Sequence, residues 1–141
     1  MKRAFTLIEI MVVVAIVIVL VSLAVPSILR SRVVANEGAA LGSLRVLNNA
    51  CQSYHIDQGH YPDSLLDLAN ANPPYIDTEL GKGKKQGYEF IYNSSDADHF
   101  TVQANPTHTG LLKGRYFFLD DSGTIRVNND SPAGPNDQIV G

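Results

Sequence analysis

The chain has 141 residues, with 11 Lys and Arg against 14 Asp and Glu and a formal net charge of −3, which is room for one modest domain. That balance gives no electrostatic reason to expect nucleic acid as a partner, because nucleic-acid binding needs a clustered basic face. The one cysteine, Cys51, excludes an intramolecular disulfide, so packing, a metal or neighbouring subunits must make up for a thin core.

Met1, Lys2 and Arg3 form a short basic leader. From Phe5 to Val25 runs FTLIEIMVVVAIVIVLVSLAV, interrupted only by Thr6, Glu9 and Ser22. As a helix it spans about 31 Å, the thickness of a bilayer's hydrocarbon core. It is apolar on every side, so lipid or protein must surround it. The run is longer than the apolar region of a secretory signal peptide, and Pro26-Ser27-Ile28-Leu29-Arg30 follows it without a small-x-small cleavage site. A plain single-pass anchor is the simplest alternative.

Glu9 is the residue that a plain anchor does not explain, because a carboxylate among Leu7, Ile8, Ile10 and Met11 is costly in lipid. One reading is local. Thr6-x-x-Glu9 has capping-box spacing, and a carboxylate suits the positive end of a helix dipole. The other reading is functional. A cut before Phe5 creates a positively charged amine, and in a bundle of such helices one subunit's Glu9 neutralises another's Phe5 amine. A buried charge with its partner is tolerable where a lone one is not, and such a pair sets register as isolated polar groups do in coiled coils. The two readings are compatible.

Lys2-Arg3-Ala4-Phe5-Thr6-Leu7-Ile8-Glu9 resembles the class III signal of type IV prepilins and type II secretion pseudopilins, usually basic residues, then Gly, then FTLIE. The resemblance extends through the apolar run to Pro26, where that family commonly kinks its long helix. It implies cleavage by prepilin peptidase between Ala4 and Phe5, N-methylation of Phe5, and pairing of Glu9 with a neighbour's N-terminus. Ala4 stands where the family usually has Gly, and alanine is the nearest residue in size. The resemblance also implies a single-pass inner-membrane protein that becomes a periplasmic or extracellular filament. The implied partners are further copies of the chain, an inner-membrane assembly platform, minor pilins or pseudopilins, and membrane lipid before assembly. Charge alone does not orient the segment, since Lys2 and Arg3 precede it and Arg30 and Arg32 follow it.

Pro26 is expected to bend the helix, not end it, because helical periodicity resumes. Ala40, Leu44, Leu47, Cys51 and Tyr54 form an amphipathic stripe. One nearly continuous helix is therefore expected from about Phe5 to Gln58, stopped by Gly59. Residues 1–4 are the leader, 5–25 the transmembrane half of the helix, 26–58 its amphipathic half and 59–141 the loop region and head. Cys51 lies on the stripe as a small buried hydrophobe.

Asp63 or Ser64 is expected to cap a short helix that buries Leu65, Leu66 and Leu68. Pro73-Pro74 breaks the chain. Gly81–Gly87 reads as a mobile, solvated basic loop without Walker A spacing. Tyr88–Tyr92, Phe100–Ala104, Arg115–Leu119 and Thr124–Val127 read as antiparallel strands, with a tight hairpin at Asp121-Ser122-Gly123. Alternation places Tyr88, Phe90 and Tyr92 on one face, and Phe100, Val102 and Ala104 on one face; either set suits the helix stripe. The fold class is α+β, a long N-terminal helix packed on a C-terminal antiparallel sheet of three to four strands, and the resemblance implies the same fold.

His55, His60, His99 and His108 have no metal-ligand spacing. Asn128, Asn129, Asp130, Asn136 and Asp137 make the tail rich in oxygen. The resemblance implies calcium near this end in major pseudopilins, but no motif maps position by position, so a plain polar tail without a metal or other cofactor is expected. The sequence thus reads as a structural filament subunit, either a type IV pilus subunit or, on the lack of a C-terminal cysteine pair, a pseudopilin. It has no nucleophile–base–orienter constellation of an enzyme. The alternative is a monomeric membrane-anchored binding domain that does not polymerise.

Overall fold

The computed structural model describes residues 4–108 and 113–140. The chain divides into two compact units, Met1–Arg32 and Val33–Gly141. Helix α1, Leu7–Gln58, contributes to both and contains Pro26 without a break. It starts two residues later than Phe5, because Thr6 takes the capping position. It stops at Gly59, whose φ of 80° turns the chain while its N–H still reaches His55 O at 2.8 Å.

In the first unit the apolar side chains are exposed all round the helix, from 41% at Leu29 to 78% at Leu7. Such a surface belongs in lipid or against other helices, and α1 is long and apolar enough to cross a membrane. Two of its serines bond back to the helix. Ser22 Oγ donates to Val19 O at 2.7 Å and Ser31 Oγ to Ser27 O at 3.0 Å.

In the second unit α1 buries Ala40, Ser43, Leu44, Leu47, Ala50 and Cys51, the expected stripe as far as Cys51 with two small neighbours, while Tyr54 is half-buried at the edge of the core. Helix α2, Leu65–Asn70, follows Ser64. The Asp67 carboxylate accepts from Ser64 N at 2.8 Å and Ser64 Oγ at 3.0 Å. Leu65 and Leu68 are buried, but Leu66 is 48% exposed, against the expectation that all three are covered. At about 100° per residue a single-sided helix cannot bury adjacent leucines equally. Helix α3, Thr78–Gly81, is capped by Asp77, which accepts from Leu80 N.

Among the described residues six strands form one antiparallel meander in chain order: β1 Lys84–Lys85, β2 Tyr88–Asp96, β3 His99–Pro106, β4 Tyr116–Asp120, β5 Ile125–Asn128 and β6 Gln138–Ile139. Tyr88 and Phe90 of β2, Phe100, Val102 and Ala104 of β3, and Phe117 and Leu119 of β4 join the α1 stripe in a single core. Both alternating sets foreseen in the sequence therefore face the helix. Gly123, at φ 76°, forms the β4–β5 turn.

Three expectations are corrected. The sheet has six strands among the described residues, not three to four, because its edge strands β1 and β6 span two residues each, too few to leave an alternation. Gly81–Gly87 is not a free loop: it holds the end of α3 and β1, with Lys84 paired to Glu89 at 3.6 Å and Lys85 to Asp77 at 2.6 Å. The tail is not a plain polar tail either, since it carries β6 and the fully buried Ala133.

Candidate assembly site

Ala4, Phe5 and Thr6 lie outside the helix and are exposed, Phe5 at 79%. The Ala4–Phe5 peptide therefore sits in exposed, non-helical backbone just ahead of α1. One turn on, Thr6 and Glu9 form the reciprocal box that their spacing suggests. Thr6 N and Thr6 Oγ1 both donate to Glu9 Oε2 at 3.0 Å, and Glu9 N donates to Thr6 Oγ1 at 3.3 Å. The local reading of Glu9 is thus part of the structure. It fixes the carboxylate near the helix start but leaves its negative charge in place, among Leu7, Ile8, Ile10 and Met11, each at least half exposed. A capped acid on an apolar rod still calls for a cation once water is removed.

The remaining candidates fall elsewhere. Cys51 is fully buried, and burial pushes its thiol up to about 12, so it packs as an inert hydrophobe. His99 Nδ1 donates to Asp96 Oδ1 at 2.8 Å and His55 lies 3.6 Å from Asp98. His60 Nδ1 donates to Tyr61 O, and His108 lies beside Thr107. Among the described residues no three His, Cys, Asp or Glu side chains converge as a metal site requires. The calcium implied by the resemblance does not fit the tail: both Asp137 oxygens and the Asn128 carbonyl oxygen accept hydrogen bonds from amide N–H groups.

A contact that sequence reading missed is Glu37 with Arg115. Glu37 Oε1 accepts from Arg115 N at 2.9 Å and Oε2 from Arg115 Nε at 3.0 Å, and Arg115 Nη2 lies 2.9 Å from Oε2 as an ion pair. The two residues are far apart in the chain, so no local spacing announces them.

Residues 1–25 match the prokaryotic N-terminal methylation motif. The chain is 35% identical over 88 residues to the type II secretion system core protein G of Escherichia coli (strain K12), covering 62% of this chain and 61% of that protein. The protein of the same name from Aeromonas hydrophila is also 35% identical over 88 residues, 62% of each chain. That from Klebsiella pneumoniae is 39% identical over 78 residues, 51% of this chain and 56% of that protein. The chain thus spans about three-fifths of the length of the curated relatives it matches. No solved structure matches it.

Proposed function

We propose that this chain is a member of the type IV pilin and pseudopilin family and a structural subunit of a type II secretion pseudopilus or a closely similar filament, a reading supported by the methylation motif at residues 1–25 and by the likeness to core protein G. The relatives' shared name, type II secretion system core protein G, favours the pseudopilus over an adhesive or motile pilus. The precursor is stored as a single-pass inner-membrane protein with the Phe5–Val25 helix in lipid. Prepilin peptidase cuts between Ala4 and Phe5, and the Phe5 amine is methylated, which leaves it a cation. An assembly platform and minor pseudopilins then draw the helix into a bundle in the periplasm. The helix trades lipid for neighbouring helices, so little apolar surface meets water in either state. No catalytic step is asked of the chain. Pro26 supplies a bend point where the helix lacks one hydrogen bond.

The observation that carries this reading is a capped carboxylate that has no ion pair among the described residues, on the exposed apolar face of α1. Each subunit's Glu9 takes the Phe5 amine of a neighbour, and the need to pair both charges fixes the axial register. Substitutions separate charge from cap. Glu9→Gln keeps an oxygen acceptor for Thr6 but removes the charge; Thr6→Val removes the hydroxyl and keeps the charge. The reading expects Glu9→Gln chains to be inserted, clipped and helical yet absent from sheared filaments, while Thr6→Val chains still assemble. Filament yield that tracks the cap and ignores the charge would refute the pairing. An intact Met1 N-terminus, found by mass spectrometry in a host with prepilin peptidase, would refute the processing.

A further inference from the structure

We infer that residues 129–137 form a strap over the outer face of the sheet, latched by the Asp137 carboxylate, and that closing this latch needs no cation. The sheet face turned away from α1 carries a cross-strand row, Ile91, Gln103, Phe118, Arg126 and Ile139, set by the pairings of five successive strands. Its two end residues are open, Ile91 at 41% and Ile139 at 58%, yet Phe118 in the middle is only 5% exposed. Phe118 and Ala133 are buried but take no part in the core on the helix side. The strap supplies the missing cover: Gln103 Nε2, beside Phe118 in the row, donates to Ala133 O at 3.2 Å.

Asp137 closes the strap on itself and on β5. Its Oδ2 accepts from Gly134 N at 2.8 Å and its Oδ1 from Asn128 Nδ2 at 3.0 Å. Its own N–H donates to Gly134 O at 3.2 Å, and its carbonyl accepts from Arg126 Nη1 at 3.2 Å. At the other end of the strap, Asn128 Oδ1 accepts from Asp130 N at 3.0 Å and Ser131 N at 3.2 Å. One residue pair, Asn128 and Asp137, therefore ties both ends of the strap. Calcium takes 6–8 oxygens turned toward a common centre. Here the tail's oxygens are turned toward N–H donors, which would meet a cation with their positive ends. Amide dipoles and the nearby Arg126 guanidinium supply the positive potential that a metal supplies elsewhere. The inference does not depend on whether the chain polymerises.

The test uses the full-length chain in detergent, heated with excess EGTA or with millimolar calcium and followed by near-ultraviolet circular dichroism. The melting temperature is expected to be the same in both to within about 1 °C. Asp137→Ala is expected to lower it by about 4–8 °C, with Asn128→Ala lowering it less and calcium restoring neither. A rise of several degrees with calcium in the parent chain, lost in Asp137→Ala, would replace the latch with a cation site. An unchanged melting temperature in Asp137→Ala would also overturn the inference. Amide hydrogen exchange of the parent chain in EGTA needs no variant. Protection of Gly134 and Ser131 supports the latch, and exchange at the open-chain rate rejects it.

Discussion

Leu47→Ala tests whether α1 is joined to the sheet by the face described. Leu47 is fully buried, a turn away from Leu44 and Cys51, which are equally enclosed, and all three share one core with Phe100, Val102 and Phe117. Removing the isobutyl group loses its transfer free energy and leaves a void between a helix and a six-stranded sheet, two elements with little freedom to collapse. The expected cost is about 3–4 kcal/mol. For a head of this size that corresponds to a fall in melting temperature of roughly 12–16 °C. The matched control is Val46→Ala, next along the chain but 47% exposed, with an expected cost near 0.5 kcal/mol. Urea titration of both variants in detergent gives the two values, and equal m-values would show that the unfolded reference is unchanged. Membrane insertion is expected to be untouched, because the residues of the core begin at Ala40. A cost below about 1 kcal/mol for Leu47→Ala, or equal costs for the two variants, would refute packing of this stripe on the sheet.

Three further outcomes follow from local geometry. Glu37→Gln removes the charge from a carboxylate that takes two hydrogen bonds from Arg115 and pairs with its guanidinium. It should cost about 1.5 kcal/mol in the same titration, the low end for charged hydrogen bonds because Arg115 is half exposed; no measurable loss would mean that the pair is loose in solution. The Asp96–His99 pair predicts a pH window for the β2–β3 tip. The hydrogen bond to Asp96 raises His99, and that from His99 lowers Asp96. The histidine's contribution is complete below about pH 6.5 and lost as pH rises through its folded value, while the aspartate's is complete above about pH 4 and lost as pH falls through its own. The Asp98 amide, which donates to Asp96 at 2.9 Å, should be best ordered by NMR between those limits, and a His99 that titrates at or below the free-histidine value contradicts the pairing. Cys51 should resist maleimide at neutral pH until the head unfolds, since burial raises its thiol; rapid labelling of folded protein would show that the stripe opens.

Much of the molecule was readable from local patterns. The anchor needs only composition, since no order of residues within an unbroken apolar run changes where it can reside. The Thr6–Glu9 box is a spacing rule within one helical turn, and the structure contains it. The α1 stripe and the inward faces of β2 and β3 are period rules, and each joins the core as its period requires, with Tyr54 and Tyr92 at its edge. What escaped was Leu66, where adjacent leucines compete for one face, and the strands β1 and β6, too short to carry a period.

The Glu9 charge and its neighbourhood are consequences of a few consecutive residues, so the proposed assembly chemistry was legible before any coordinates. The strap belongs to the other kind. Asn128 and Asp137 look in sequence like a polar tail, and only the fold of the tail beside β5 and β6 turns their side-chain oxygens onto amides. Glu37 and Arg115 likewise meet because α1 lies along the sheet. Short-range periodicity is written into the order of residues, whereas partners brought together across the fold exist only once the chain has closed its loops and set its strand register.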